Sequence, residues 1–248
     1  MIQKDISFLT PEENLLFDDV LLYLAEQGQS GEVLRFWECQ QYFVVLGKIS
    51  DVQKDIEWEA VRREGIPVLR RSSGGGTVLQ GRGCLNYSFI LSKENRPEIL
   101  TIHQSYRFIL EKLVQTLRDL KVEVVFKPIS DLATADGDKK FSGNAQRRSK
   151  KYILHHGTIL YDFDLPKIAE FLKMPENIPA YRGGRGHLDF VTNINISLDQ
   201  FKKMCGQKFG VKRHENKLTN SEKDCLEQWR KVKNIFVSPK GKNFGLSD

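Results

Sequence analysis

Apolar residues recur along this chain at two periods, and the switch between them marks out helices and strands. Leu15, Leu16, Val20, Leu21 and Leu24 form a stripe of helical spacing. Thr10 ahead of it can cap, Pro11 suits a first turn and Glu13 holds the capping-box position. A helix is therefore predicted from 10 to about 28. Strand patterns follow at 33–38 and 42–46, then a short amphipathic helix over 55–64. Residues 67–71 read as a strand entering a glycine turn, with further strands at 77–79 and 85–91. The longest helix is expected over 99–120, where Ile102, Tyr106, Ile109, Leu113 and Leu117 share a face. A strand over 122–126 leads to a hairpin, with 132–135 and 139–142 flanking Asp136-Gly137. A strand over 152–163, a helix over 165–172 and helices opened by Ser197 and Ser221 complete the pattern. Arg182-Gly183-Gly184-Arg185-Gly186 reads as a cationic loop.

These elements predict an α+β fold with a mixed, largely antiparallel sheet flanked by helices. The 248 residues suffice for one large domain or two small ones, and a single domain is the economical reading. The longest apolar stretch, 14–25, is interrupted by Asp18 and Asp19 and is too short to cross a bilayer. No basic segment leads into an apolar run at the N-terminus, so a secretory leader is not expected. Cys39, Cys84, Cys205 and Cys225 lack CxxC pairing or zinc-like spacing, which fits reduced thiols in a cytoplasmic protein. The net charge of +6, concentrated in 147–151 and 202–242, admits an anionic substrate, an acidic partner or nucleic acid. The basic clusters carry no interleaved aromatics to stack bases, so nucleic acid is not an expected partner.

Chemistry enters with Arg70-Arg71-Ser72-Ser73-Gly74-Gly75-Gly76-Thr77-Val78. Consecutive glycines permit positive φ and close ligand approach, and the arginines offer fixed charge for a carboxylate or phosphate. Strand rather than helix follows, which excludes a dinucleotide fingerprint. Arg82-Gly83 stands where a P-loop needs Lys-Ser/Thr. On these residues alone a plain glycine turn explains the segment equally well. In Lys140-Phe141-Ser142-Gly143-Asn144-Ala145-Gln146-Arg147, strand alternation puts Lys140 and Ser142 on one face and Phe141 on the other. Taken singly, Lys140 reads as a solvated lysine. His155 and His156 must point to opposite faces, which argues against a shared metal site. No Ser/His/Asp or metal-binding motif emerges along the chain.

Together, in order, these segments resemble the lipoate–protein ligase family of the biotin/lipoate ligase superfamily. RRxSGGGxV is matched at 70–78, KxSGxA at 140–145, and HHGTLL at 155–160 with Ile159 as the one change. Leu34-Arg35-Phe36-Trp37-Glu38, Val44-Val45-Leu46-Gly47 and Asp131-Leu132 fall in the expected order, and the resemblance spans roughly 9–196. It implies a fold shared with biotin ligases and class II aminoacyl-tRNA synthetases, with ATP and Mg2+ as cofactors. Arg71, Ser73, Gly74, Gly75 and Gly76 would line the lipoyl-binding loop, with Trp37 beside it. Lys140 would be the key lysine at carboxylate and α-phosphate, and Asp131 would hold metal or orient the attacking amine. Ser142, Gly143, Ala145, Arg147, His156 and Gly157 would complete the pocket, with Arg182 and Arg185 in a loop over the adenylate. The implied partners are lipoate or octanoate and an apo lipoyl domain or a glycine-cleavage H-type acceptor protein.

The sequence departs from the family pattern in three ways. Gln80 stands where many members have His, and Ser130 replaces the Asn usual before Asp131. The expected catalytic domain, 1–248, carries no C-terminal accessory domain, so that domain is either supplied by a separate accessory protein or dispensable here. An octanoyl or lipoyl acyltransferase, an amidotransferase and a non-catalytic acyl- or protein-binding relative are the alternatives. A cysteine-dependent transferase needs an activated thiolate, and Cys84 in its apolar strand reads as a packed residue. The GRGRxGR loop of biotin ligases is absent.

Overall fold

The computed structural model describes residues 1–240 apart from Ile129 and Asn177, so Lys242 of the basic stretch lies outside the described residues. A first strand, β1 (Ile2–Asp5), precedes α1 (Pro11–Glu26), and both β1 and the short β11 (Arg213–His214) escaped the sequence pattern. Two or four residues are too few to show a period. Thr10 caps α1 by accepting from the Glu13 N–H at 3.2 Å. Its hydroxyl donates to the Glu13 carboxylate, so that carboxylate does not close the reciprocal half of the box.

Strands β2 (Val33–Trp37), β6 (Cys84–Ser92), β10 (Tyr152–Leu160), β9 (Lys140–Arg148), β8 (Asp131–Thr134) and β7 (Val124–Lys127) extend the main sheet. Its order is β11-β1-β2-β6-β10-β9-β8-β7, parallel at β1 and antiparallel across the rest. A smaller sheet pairs β3 (Phe43–Leu46) with β4 (Val68–Arg70) in parallel and with β5 (Val78–Gln80) antiparallel. The fold is thus α+β with a largely antiparallel mixed sheet, as the pattern predicts.

One face of the main sheet buries Leu34, Phe36, Phe89 and Leu132 against α4 (Ile102–Asp119) and α7 (Leu198–Phe209). The other face packs under α1 and α8 (Asn220–Val232) through Leu16, Phe17, Leu21 and Leu226. Each fully buried aliphatic or aromatic side chain contributes roughly 1.5–3 kcal/mol.

Two helices differ from expectation. The helix predicted over 55–64 is split into α2 (Val52–Asp55) and α3 (Trp58–Arg63), because Ile56 is extended and bridges Leu172 in the core around the small sheet. Capping of α8 falls to Thr219 rather than Ser221, since only Thr219 has Glu222 at N3 to complete a capping box. The segment after β10 forms α5 (Pro166–Phe171) and the single turn α6 (His187–Phe190).

Candidate active site

The face of the main sheet beneath α1 is polar where an apolar surface would be expected. Arg35, Ser88, His156 and Ala145 stand in one row across β2, β6, β10 and β9. Arg35 is fully buried and donates to Asp18 of α1 at 2.7 Å. Its other N–H groups donate to the Ile6 and Asn14 carbonyls and to Asn14 Oδ1. A buried guanidinium is tolerable only when so fully paired. Ser88 donates to the second Asp18 oxygen at 2.6 Å. Burial pushes the Asp18 carboxyl up, but Arg35, His156 and Ser88 outweigh it and hold the group below the usual carboxylate range.

A β-bulge places Lys140. Leu132 faces Ser142 and Ala133 faces Lys140, so Phe141 is the extra residue of β9. Lys140 consequently joins Asp131 and Gly143 on the α1 side, while Ser142 points with Leu132 into the opposite core. The expectation that Lys140 and Ser142 share a face is overturned, because alternation counts residues and a bulge adds one. Lys140 Nζ lies 2.8 Å from Asp131 Oδ1. Tyr181 donates its hydroxyl to Asp131 Oδ2 at 2.7 Å. The lysine folds back over Gly143, where an added Cβ would meet its Cε and Nζ at 3.1 Å.

The glycine loop lies across this face. Arg70 donates to the Gly47, Lys48 and Ser50 carbonyls, and Arg71 to those of Val45, Gly74 and Gly76. Arg71 thus braces the glycine loop, while Arg70 braces the neighbouring 47–50 turn. Burial lowers Arg71 to about 10. Gly75 has φ +82°, and its carbonyl sits where a Cβ on Gly47 would stand. Gly74, Gly75 and Gly76 offer N–H groups that have no acceptor among the described residues. Ser73, buried, receives Arg71 Nε at 3.0 Å and contacts His156 Nε2 at 2.6 Å. Arg147 pairs with Asp19 at 2.9 Å, and Ser72 donates to the same oxygen.

His155 and His156 do point to opposite faces. His155 is buried between Gln146 Nε2 at 2.9 Å and Asn144 Oδ1 at 3.1 Å, and burial lowers it to about 3. Gly157 lies on that core side too, where a Cβ would strike Asn144 Oδ1 and the Tyr87 hydroxyl. Ser142 and Gly157 therefore shape the sheet from behind and do not line the α1 side. Trp37 is buried at the end of β2 and its Nε1 has no partner among the described residues. Arg182 and Arg185 each donate to the other's carbonyl, and both stack near Phe190. They stabilise their own loop, which among the described residues reaches Asp131 through the Tyr181 hydroxyl.

Residues 10–210 match the lipoyl protein ligase A/B catalytic domain. The chain belongs to that family. Lipoate-protein ligase LplJ of Bacillus subtilis (strain 168) is 32% identical over 199 residues, which cover 80% of this chain and 56% of that protein. Octanoyltransferase LipM of the same organism is 28% identical over 222 residues, covering 78% of this chain and 79% of LipM. A bipartite lipoate protein ligase from Thermoplasma acidophilum superposes with a TM-score of 0.76 at 21% identity, covering 94% of each chain.

Family membership explains the motif order. Asp18, Asp19 and Ser88 escaped sequence reading because their contacts run far along the chain, and the contacts of Tyr181 and Gly47 emerge only in space. The signal available for Asp18 was an acid inside an otherwise apolar helical stripe. Among the described residues no helix is long and apolar enough to cross a membrane.

Proposed function

We propose that this chain is a lipoate–protein ligase. It activates a lipoyl-type acid with ATP and passes the acyl group from the adenylate to a lysine of an acceptor lipoyl domain. The observation that carries this reading is the partly exposed Lys140 ammonium, paired with Asp131, on the sheet face that the glycine loop crosses, whose N–H groups have no acceptor among the described residues. Such a set suits anionic oxygen, because fixed donors and a cation stabilise charge growing on a phosphate without reorganising.

A carboxylate resists attack by an amine until one of its oxygens becomes a good leaving group. Lys140 neutralises the α-phosphate while the acid's oxygen attacks it, and then follows the charge to the acyl oxygen as the acceptor amine adds. Asp131, released from Lys140, orients that amine. Arg71 keeps Gly74–Gly76 in the shape that presents their N–H groups.

Among the described residues no cluster of three or more His, Cys, Asp or Glu could hold a metal ion. Asp131 is the carboxylate at hand, and Lys140 and Tyr181 engage both its oxygens. Magnesium therefore fits here as an ion brought by the nucleotide's phosphates, with Asp131 supplying one oxygen. Bound so, it would offset phosphate charge.

The LipM similarity favours a second reading, acyl transfer from a carrier protein without ATP. A cysteine mechanism finds no support, since Cys39, Cys84, Cys205 and Cys225 are all buried and burial pushes the Cys84 thiol up. The test incubates the chain with lipoate, ATP, magnesium and an apo lipoyl domain, with and without an accessory ligase domain. Acceptor mass rising only with ATP supports the ligase. Modification from octanoyl-carrier protein alone supports the transferase, and no adduct under any condition defeats both.

A further inference from the structure

Ser73, His156 and Asp18 are far apart in sequence and form one relay in space. Ser73 Oγ is 2.6 Å from His156 Nε2, and His156 Nδ1 is 3.7 Å from Asp18 Oδ2. With the ring proton on Nδ1, facing the carboxylate, Nε2 is free to accept the Ser73 proton. The Asp18 carboxylate is kept charged by Arg35 at 2.7 Å and by Ser88. At 3.7 Å it orients the imidazole and stabilises a positive ring rather than making a tight hydrogen bond.

The surroundings of Ser73 match what a nucleophilic hydroxyl requires. Arg71 Nε, 3.0 Å from Oγ, places positive charge beside the oxygen that must lose its proton. The next N–H groups along the chain, on Gly74, Gly75 and Gly76, have no acceptor among the described residues and can receive an oxyanion. Ser73 itself is buried, but a Cβ on Gly74 would meet nothing within 4 Å, so the loop is open immediately beside it. None of these groups is needed as a base when ATP activates a free acid.

We propose that Ser73 is an acyl-accepting nucleophile, activated by His156 and Asp18, giving the chain a second, ATP-independent transfer from an acyl thioester. Ser73 Oγ attacks the thioester carbonyl and its proton passes to His156 Nε2. The carbon–sulfur bond breaks, and the imidazolium returns the proton to the departing thiolate. A seryl ester remains. An acceptor lysine amine then attacks that ester, the carbon–oxygen bond breaks, and a proton from the amine returns through His156 to Ser73.

The test treats the full chain with the octanoyl thioester of N-acetylcysteamine without ATP, and follows intact mass and peptide mapping. One octanoyl group is expected on the peptide containing Ser73. Ser73→Ala should lose it. Ser73→Cys should keep an adduct that neutral hydroxylamine removes, unlike the wild-type ester. His156→Gln should slow acylation by about 100-fold or more and flatten its pH profile. Melting curves check that each variant is folded. Absence of an adduct on the wild type, or an adduct that persists in Ser73→Ala, overturns the proposal. ATP-dependent lipoylation by the same preparation is scored separately, so either reading can fail alone.

Discussion

Lys140 Nζ lies 2.8 Å from Asp131 Oδ1, and the β-bulge at Phe141 is what turns the lysine toward that carboxylate. Lys140 is partly open and can be drawn to a phosphate, while the buried Asp131 keeps the Tyr181 hydroxyl as a partner.

Lys140→Ala should lower adenylate formation by about 100-fold or more, the cost of losing one fixed charge stabiliser. Pyrophosphate exchange measures it. The fold should survive, since Lys140 is partly exposed and the Tyr181 hydroxyl still serves the buried Asp131. Cys84→Ala should leave exchange unchanged, and the reverse pattern would defeat the ligase mechanism.

Tyr181→Phe should free Asp131 Oδ2 and loosen residues 180–190 from the site. A hydrogen bond to a charged group contributes about 1.5–3 kcal/mol. Nucleotide KM should rise by roughly tenfold or more on that scale. An unchanged KM would show that the loop does not cover the nucleotide.

Two glycines should behave oppositely. A Cβ at Gly157 would stand 2.1 Å from Asn144 Oδ1 and 2.5 Å from the Tyr87 hydroxyl. Gly157→Ala should therefore destabilise the fold by about 1–3 kcal/mol in urea, as buried polar groups lose partners. Gly74→Ala meets nothing within 4 Å and should be neutral in the same measurement, whatever it does to activity.

His155 should add an acid-labile component to stability. Its folded pKa is depressed to about 3 by burial, below the ordinary histidine value of 6.5. The unfolded chain therefore binds the proton first. Stability is full above about pH 6.5 and falls as pH drops toward 3, by at most about 1.4 kcal/mol per unit. Urea melts between pH 6.5 and 4.5, above the main carboxylate range, should show the slope, and His155→Asn should remove it.

Local chemistry in the sequence determined a good deal here. Helical stripes and capping residues fixed α1, α4 and α7 closely, because a helix is decided by neighbours three and four residues apart. Asp136-Gly137 fixed a turn, with Gly137 at φ +75°. The ordered motifs carried the family. Alternation also separated His155 from His156 correctly, since β10 is regular there.

Tertiary structure decided the rest. Only strand pairing shows that Phe141 is an added residue, which moves Lys140 away from Ser142. Only packing turns Arg70 and Arg71 inward onto carbonyls and makes Tyr181 the tie to Asp131. The lysine that its motif singles out takes its partner and its face from strand pairing. Residues 18, 73 and 156 carry no common motif, because their meeting depends on a helix, a loop and a strand packed together. A one-dimensional pattern holds periods and local turns, while a site built across elements exists only once the chain has closed around it.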